Sequence, residues 1–325
     1  LLLRRALRSA RSTGLVAAAA QPVVVLLLDE GAELLAAQVA ALLERCAICA
    51  LDPALPMPEL ARRLLLVKPA VVLTDDRKAS LLSFALQSSM LGAGSEATDD
   101  GTGLNLAPAQ TTPPPALSTV IVDVAAAQKL LGKQHSIQRP RLPLPPPPVE
   151  GGVSGTISTP QLCLIIFTAG TAGQPQAALL GHAAVCWAVE KWCSQLGLGP
   201  ADRHALLLPP WLSAGMLGQW SALAGGARIL LPPPAEASPS LKPLRAKLLD
   251  WLASRRITVL GCRPSQLQSI EAEAPGAPEK LSTLRTVWVT GEPCAGVLAV
   301  RWAASGRRFL SLYSAAEALA ALALD

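Results

Sequence analysis

Apolar and polar positions succeed one another along the chain in a way that predicts strands and helices in turn. Short runs of β-branched and leucine residues have the length of buried strands, and between them apolar residues return at helical spacing. The predicted strands are Val23–Leu28, Ala47–Leu51, Val67–Thr74, Thr119–Val124, Leu162–Phe167, Ala205–Leu208, Arg228–Leu231, Thr258–Leu260, Thr286–Val289 and Phe309–Tyr313. The predicted helices are Gly31–Leu43, Pro58–Leu66, His182–Leu196, Leu241–Arg255 and Ser265–Glu273.

This alternation predicts an α/β fold, because parallel strands need crossovers that are usually helices. Two segments interrupt it. Residues 88–116 are rich in Gly, Ala, Thr, Asp and Pro and are predicted to be a low-complexity insertion, and residues 132–158 are predicted to be a Pro/Gly-rich loop. We therefore expect one α/β subdomain at 1–131 and a second at 159–325. The run Pro145–Pro148 is interpreted as a stiff spacer, with recognition by a partner domain as the alternative.

Composition narrows the class of protein. Apolar residues make up 51% of the 325 residues and charged residues 16%, but no apolar run approaches the roughly 18 residues of a membrane helix. The net charge of +5 is scattered and only 3% of residues are aromatic, so nucleic-acid binding is not expected. Seven cysteines argue against a disulfide framework, and Cys46 and Cys49 are interpreted as small core residues. These features favour a cytoplasmic protein without a membrane span.

The first residues, Leu1–Arg11, are rich in Arg and contain no acidic residue. They are interpreted as an ordinary amphipathic helix, with a mitochondrial transit peptide as the alternative. Because the chain does not begin with Met, we expect it to be a fragment. Asp202, Arg203, Arg245, Lys247 and Asp250 are interpreted as solvated charges.

A loop of glycine and threonine, Thr168–Gly173, follows the predicted strand Leu162–Phe167. Glycines let backbone N–H groups turn toward an anion, and threonine hydroxyls add donors. The spacing is not that of a P-loop, because no Lys-Ser/Thr pair follows the second glycine. The loop is therefore a candidate phosphate-binding segment of another type.

The residues of this loop resemble the phosphate loop of the adenylate-forming superfamily, which includes acyl-CoA synthetases, luciferases and nonribosomal peptide synthetase adenylation domains. That family's loop reads Tyr-Thr-Ser-Gly-Thr-Thr-Gly-Lys-Pro-Lys-Gly, which Thr168, Gly170, Thr171, Gly173 and Pro175 match, and His182 matches a later family His. Other segments resemble further family motifs in family order. They are Ala50–Pro53, Val71–Asp75, Leu208–Met216, Gly225–Pro232, Arg256–Leu260, Pro264–Leu267, Gly291–Pro293 and Arg307–Glu317.

The resemblance implies the large N-terminal domain of adenylate-forming enzymes, an α/β fold of stacked, mostly parallel sheets with flanking helices. It implies that ATP and a carboxylic or amino acid give an acyl-adenylate, with Mg²⁺ as cofactor and CoA or a phosphopantetheine carrier domain as acceptor. Trp211 and Gly215 would shape the acid pocket, and Glu317 would help to hold Mg²⁺. His182 is a further implied site residue. The implied nucleotide-binding residues are Thr168, Ala169, Gly170, Thr171, Ala172, Gly173, Gly291, Glu292, Pro293 and Tyr313.

The chain departs from the family pattern at charged and hydroxyl positions. Ala169 and Ala172 stand where the family has Ser and Thr, and Gln174 and Gln176 stand where it has Lys. Because a hydrogen bond to a charged group contributes roughly 1.5–3 kcal/mol, we expect ATP binding to be weakened. Glu317 taken alone would be interpreted as an acidic residue at a helix start.

Two hypotheses follow from the resemblance and the departures. The first is an AMP-forming ligase domain, seen as an incomplete large domain that is inactive alone. The family's ribose-binding Asp strand, hinge and small C-terminal domain with its catalytic Lys have no counterpart within the 325 residues. The second is a degenerate, catalytically weak domain that serves as a scaffold or interaction module in a multidomain synthase.

Overall fold

The computed structural model divides the chain into two compact units. It describes residues 2–12, 21–75, 78–79, 82, 120–123, 161–168, 175–232, 245–317, 319 and 321–324. One unit comprises residues 1–28 and 37–161, and the other comprises residues 29–36 and 162–325. The predicted insertion at 88–116 and the predicted loop at 132–158 lie outside the described residues. Within the described ranges, no helix is both long enough and apolar enough to cross a membrane.

The first unit contains a parallel sheet. Its strands are β1 (Val23–Leu27), β2 (Ala47–Ala50), β3 (Val71–Thr74) and β4 (Val120–Asp123). They lie in the order β4-β3-β1-β2, and each neighbouring pair is parallel. β2 and β3 are buried at every position, Cys49 included. Burial on both faces explains why these strands are continuous apolar runs in the sequence rather than alternating ones.

Helix α1 (Leu2–Ser12) packs its apolar side against β3 and β4. Leu3, Ala6, Leu7 and Ala10 recur at helical spacing and are at most 7% exposed. On the solvent side, Arg4 donates a hydrogen bond of 2.7 Å to a carboxylate of the same unit. The prediction of an amphipathic helix in this segment is confirmed.

Helices α2 (Ala32–Leu43) and α3 (Met57–Val67) follow β1 and β2 along the chain. Helix α3 ends at Lys68, whose φ of 48° is left-handed and whose N–H donates to the carbonyl of Leu64 at 2.8 Å. The predicted strand at Val67–Thr74 is therefore too long. The helix continues through Val67, Pro69 cannot extend it, and the strand begins only at Val71.

The second unit contains an antiparallel hairpin. β5 (Leu162–Thr168) pairs with β6 (Gln176–Gly181), and Thr168 lies opposite Gln176. Helix α4 (His182–Leu196) follows directly and ends at Gly197, whose φ of 60° gives a glycine C-cap. The predicted helix is confirmed. Strand β6 was not predicted, because its alanines and its glycine carry little β propensity.

A second sheet dominates this unit. Its strands are β7 (Arg203–Leu206), β8 (Arg228–Leu230), β9 (Val259–Cys262), β10 (Thr286–Val289), β11 (Arg308–Ser314) and β12 (Ala321–Leu324). They lie in the order β12-β11-β10-β9-β7-β8, and all neighbours are parallel except β11 and β12. The helices are α5 (Ser213–Ala224), α6 (Arg245–Ser254), α7 (Pro264–Glu273), α8 (Ala277–Lys280) and α9 (Gly296–Ala303).

The indole of Trp288 fills the space beside two glycines in the core of this unit. A Cβ at Gly261 would lie 2.3 Å from the indole and one at Gly218 would lie 3.1 Å from it. The ring meets Trp192 edge-on, with centroids 5.3 Å apart, and its N–H donates to Nε2 of His204 at 3.1 Å. Burial lowers the pKa of His204 to about 4, so the neutral imidazole can accept this bond.

Asp202 forms a network at the amino ends of the parallel strands. Its carboxylate accepts bonds from Arg285 at 2.9 and 2.7 Å and from the Thr258 hydroxyl at 2.7 Å. Burial alone would raise the pKa of Asp202, but these bonds and one from the N–H of Gly199 outweigh it and hold the pKa below its usual value. The interpretation of Asp202 as a solvated charge is therefore wrong, since the residue is 7% exposed.

Arginines at this amino edge also donate to carbonyls where helices end. Arg308 donates to Gln195 in the last turn of α4, and Arg285 donates to Gly197 at 2.6 Å. Arg307 is buried and donates to carbonyls at the end of α8. Because helix C-termini carry partial negative charge, a guanidinium there is stabilising.

Candidate functional site

The carboxyl ends of β7, β9, β10 and β11 meet at one edge of the second sheet, because these strands are parallel. Open parallel sheets bind ligands at this edge. The segments that follow the strands are Leu207–Leu212, Arg263–Gln266, Thr290–Pro293 and Tyr313–Glu317. We call these four segments the carboxyl edge.

The turn after β10 exposes backbone. Gly291 has a φ of +86°, a conformation that side chains disfavour, and nothing lies within 4 Å of the position a Cβ would occupy. The preceding Thr290 is buried, and its N–H donates to the carbonyl of Cys262 at 3.2 Å. The turn is thus anchored to β9 at Thr290 and has open space beside the backbone of Gly291. This arrangement fits a flat ligand placed against the backbone.

The carboxylate of Glu292 does not stand free in this turn. One oxygen accepts the backbone N–H of Ser265 at 3.1 Å, and the other accepts the Ser265 hydroxyl at 3.0 Å. Ser265 lies in the first turn of α7. The residue was predicted as a lining residue of the adenine pocket, whereas its carboxylate binds the neighbouring helix.

Gln266 ties two segments of the carboxyl edge together. Its side-chain oxygen accepts the N–H of Arg263 at 2.8 Å, and its side-chain nitrogen donates to the carbonyl of Leu207 at 3.1 Å. Ser265 and Gln266 lie within the predicted motif Pro264–Leu267, but neither was predicted to be a site residue. A further sequence signal is their place at the start of a predicted helix, where side chains often cap.

Trp211 and Gly215 lie at the passage from β7 into α5. Trp211 is half-buried, and Gly215 is buried in the first turn of the helix. A Cβ at Gly215 would lie 2.0 Å from the carbonyl oxygen of Pro209. Close packing therefore explains this glycine by itself, and its role in shaping an acid pocket stays a prediction.

Tyr313 and Glu317 lie at the end of β11 and just beyond it. Tyr313 is 73% exposed, and its backbone pairs with Leu322 of β12. Glu317 is exposed in the turn that leads to β12. The interpretation of Glu317 as a helix-start residue is wrong, because the chain returns here as an antiparallel strand.

The remaining predicted site residues belong to the β5–β6 hairpin or to the start of the helix that follows it. Thr168 is half-buried at the end of β5, and His182 is the partly buried first residue of α4. Gln176, which replaces a family lysine, is exposed at the start of β6. Residues 169–173 of the predicted phosphate loop lie outside the described residues.

The thiol of Cys262 lies at the end of β9, beside the carboxyl edge. Burial raises the pKa of Cys262, and nearby Cys294 and Glu292 raise it further, so this thiol stays protonated. The seven cysteines are free, which agrees with the interpretation that they form no disulfide framework. Among the residues that the structure describes, no group of three or more His, Cys, Asp or Glu side chains could hold a metal ion.

The sequence matches the family model described as AMP-binding enzyme over residues 2–325. The chain belongs to the AMP-binding enzyme family. The predicted resemblance is thereby confirmed. The motif order along the chain carried this prediction, since each segment taken alone is a common pattern.

Relatives within the AMP-binding family are distant and much longer. The chain is 30% identical over 153 residues to a probable non-canonical nonribosomal peptide synthetase, CymA, of Salinispora arenicola, covering 47% of this chain and 2% of the relative. It is 29% identical over 160 residues to a feruloyl-CoA synthase of an Amycolatopsis species, covering 48% and 30%. The chain thus spans less than a third of these relatives' lengths.

Solved structures of similar fold confirm the predicted architecture. The inhibitor-bound N-terminal domain of FACL13 from Mycobacterium tuberculosis is 19% identical, with a TM-score of 0.68 over 97% of this chain and 68% of that chain. ATP-bound MatB from Rhodopseudomonas palustris is 16% identical, with a TM-score of 0.66 over 97% and 54%. At this identity the likeness shows the fold, which is the large N-terminal domain of adenylate-forming enzymes.

Proposed function

We propose that the chain is the nucleotide-binding part of an AMP-forming ligase, in which ATP and a carboxylic or amino acid give an acyl-adenylate and pyrophosphate. The observation that carries the proposal is that parts of three separately predicted motifs, Leu208–Met216, Gly291–Pro293 and Arg307–Glu317, meet at the carboxyl edge. The family match over residues 2–325 supports it.

The surroundings of these residues fit an adenine nucleotide. The open backbone beside Gly291 would receive the flat base, and the exposed ring of Tyr313 would lie against the nucleotide. The hairpin loop from Thr168 to Gly173 would supply backbone donors to the phosphates. These roles require positioning and charge neutralisation rather than a protein nucleophile.

Glu317 would hold Mg²⁺. Magnesium is usually bound through one or two carboxylates, with substrate phosphates and water completing the shell. Such an ion supplies Lewis-acid neutralisation of phosphate charge. An exposed single carboxylate, rather than a preformed cluster, fits this mode of binding.

Trp211 and Gly215 would border the acid, and the thiol acceptor is CoA or a phosphopantetheine carrier domain. Among the relatives, a feruloyl-CoA synthase and an L-proline–[L-prolyl-carrier protein] ligase represent the two acceptor classes. The proposal covers both.

A matched pair of glycine variants tests the proposal through ATP binding, measured by calorimetry with MgATP. Gly291 and Gly306 both have positive φ with open space beside them, but Gly306 precedes the amino end of β11. An alanine at either position strains the backbone by about 1–2 kcal/mol. We expect Gly291→Ala to weaken ATP binding roughly tenfold, because the turn shifts, and Gly306→Ala to leave it unchanged. The proposal would be overturned if the chain without substitutions did not bind ATP. It would also be overturned if the two variants changed the ATP affinity equally.

A degenerate domain that serves as a scaffold or interaction module in a multidomain synthase is the second candidate. The observation that favours it is the exposed amide of Gln176 at the start of β6, where the family carries a cation. Loss of this charge beside a phosphate loop would weaken ATP binding. The triple variant of the neighbouring phosphate loop, Ala169→Ser, Ala172→Thr, Gln174→Lys, tests this candidate, because it restores two hydroxyl donors and the other missing cation of the same region.

A further inference from the structure

We propose that Glu292 and Ser265 form a clamp that positions the Gly291–Pro293 turn for the nucleotide. This inference rests on the proposed function, and it assigns the Glu292 carboxylate a positioning role instead of a contact with the ligand. We call the two hydrogen bonds between Glu292 and Ser265 the turn clamp.

Both oxygens of Glu292 are engaged by one residue of α7. The helix begins with Pro264, which has no N–H, so Ser265 carries the first amide donor of the helix. Glu292 accepts this N–H at 3.1 Å and the Ser265 hydroxyl at 3.0 Å. A negative charge is favoured at a helix N-terminus, so the helix and the hydroxyl together fix the direction of the carboxylate.

The turn clamp holds Gly291 from one side, and a backbone bond holds it from the other. The N–H of Thr290 donates to the carbonyl of Cys262 at 3.2 Å, while Glu292 binds the start of α7. One anchor is the last residue of β9 and the other lies in the first turn of α7, on either side of Arg263. Gly291, the most flexible type of residue, is therefore held in its left-handed conformation between the end of a strand and the start of a helix.

Fixing this turn before the nucleotide arrives has a thermodynamic consequence. A loop that must become ordered on binding loses conformational entropy, which lowers affinity. If the turn clamp is removed, the open backbone at Gly291 samples other conformations and part of the binding free energy is lost in ordering it. Loss of the turn clamp therefore lowers the affinity for ATP by more than the loss of an exposed hydrogen bond remote from a ligand would.

Glu271 offers a matched control on the same helix. Its carboxylate accepts two bonds from Arg301, at 3.1 and 2.6 Å, but these bonds link α7 to α9 and do not touch the turn. Glu271→Ala therefore removes one carboxylate and its two hydrogen bonds from α7, as Glu292→Ala does from the turn, and leaves the turn clamp intact.

The test compares Glu292→Ala, Ser265→Ala, the double variant and Glu271→Ala in the full chain. MgATP affinity is measured by calorimetry, and backbone hydrogen exchange is measured over the Gly291–Pro293 turn without nucleotide. We expect Glu292→Ala to weaken ATP binding roughly tenfold and Ser265→Ala, which keeps its N–H, about threefold. The double variant is expected to have the same ATP affinity as Glu292→Ala, because both remove the same contact. Ser265→Thr keeps a hydroxyl and is expected to bind ATP as tightly as the unchanged chain.

The two readouts separate the possible failures. Faster exchange in the turn of Glu292→Ala, with weaker ATP binding and no change for Glu271→Ala, supports the clamp. Unchanged exchange overturns the clamp itself, and faster exchange with unchanged ATP affinity overturns its role in positioning the nucleotide. No ATP binding by the unchanged chain overturns the proposed function, whatever the exchange result.

Discussion

Gly215 and Gly291 are both glycines of the predicted site, but their surroundings are opposite. A Cβ at Gly215 would lie 2.0 Å from the Pro209 carbonyl oxygen, whereas nothing lies within 4 Å of one at Gly291. The first glycine is required by packing, and the second by its φ of +86°. Both positions are simply glycine in a sequence motif. Only the structure shows that one is required by close packing and the other by a left-handed turn.

We predict that Gly215→Ala destabilises the fold by about 2–3 kcal/mol, since α5 must move away from the Pro209 carbonyl to admit a methyl group. The measurement is urea unfolding followed by tryptophan fluorescence. Gly296→Ala is the control: it also lies in the first turn of a helix, but it has open space around it. This control should be neutral or stabilised by up to about 1 kcal/mol. Equal behaviour of the two variants would show that the close contact with Pro209 is relieved without cost.

The residues that bind one another across the carboxyl edge could not be predicted from the sequence. Glu292 and Ser265 are separated by 27 positions, and Gln266 and Leu207 by 59. Hydrogen bonds between such distant positions leave no periodic pattern. The buried network of Asp202 was missed for the same reason, because its partner Arg285 is 83 positions away.

At the scale of elements, the predictions succeeded where an element buries one face or is a continuous apolar strand. Helix α4 and strand β10 were predicted with their observed bounds. Helix α5 was missed because residues 214–222 are all buried, so no polar stripe marks the helical period. Strand β12 was missed because its alanines and leucines fit a helix as well as a strand.

The hairpin of β5 and β6 is the element on which the second candidate function depends. We predict that the triple variant Ala169→Ser, Ala172→Thr, Gln174→Lys binds MgATP about tenfold more tightly, since it restores two hydroxyl donors and one cation. Calorimetry of the variant and the unchanged chain measures the effect. Gln268→Lys, which adds the same charge to an exposed position of α7, should leave affinity unchanged. If the triple variant binds ATP no better than the unchanged chain, the phosphate-loop assignment is wrong.

At the scale of the whole molecule, the two edges of the second sheet differ in their chemistry. The carboxyl edge gathers the motif residues, whereas the amino edge carries Asp202 and the arginines that bind helix ends. The family and its architecture could be predicted because motif order extends along nearly the whole chain. The acid that the proposed ligase would activate could not be predicted, because the shape of the proposed pocket would depend on packing around Trp211 and α5 rather than on a local motif.

We predict that the stability of the fold decreases on acidification through Asp202. The folded-state pKa of this carboxyl is lowered relative to about 3.9 in the unfolded chain. Its contribution is therefore fully present above the unfolded pKa and is lost as pH falls through the folded pKa. Asp202→Asn should lower the free energy of unfolding at pH 7 by about 1–3 kcal/mol, and the difference from the unchanged chain should shrink below pH 4.

Urea unfolding at several pH values between 7 and 3 measures this difference. Asp250→Asn changes an exposed carboxylate of α6 and should have little effect at any of these pH values. A difference between Asp202→Asn and the unchanged chain that stays constant down to pH 3 would contradict the assignment of the acid sensitivity to Asp202.

The arginines that bind helix ends have a consequence for how an anion approaches the molecule. Each helix between parallel strands ends at the amino edge and begins near the carboxyl edge, so its dipole points the same way. Arg285 and Arg308 donate to carbonyls at the negative end of α4, and Glu292 occupies the positive end of α7. In the proposed function, the positive ends of the other helices that begin near the carboxyl edge would attract a polyphosphate over about 8 Å, the Debye length at physiological salt.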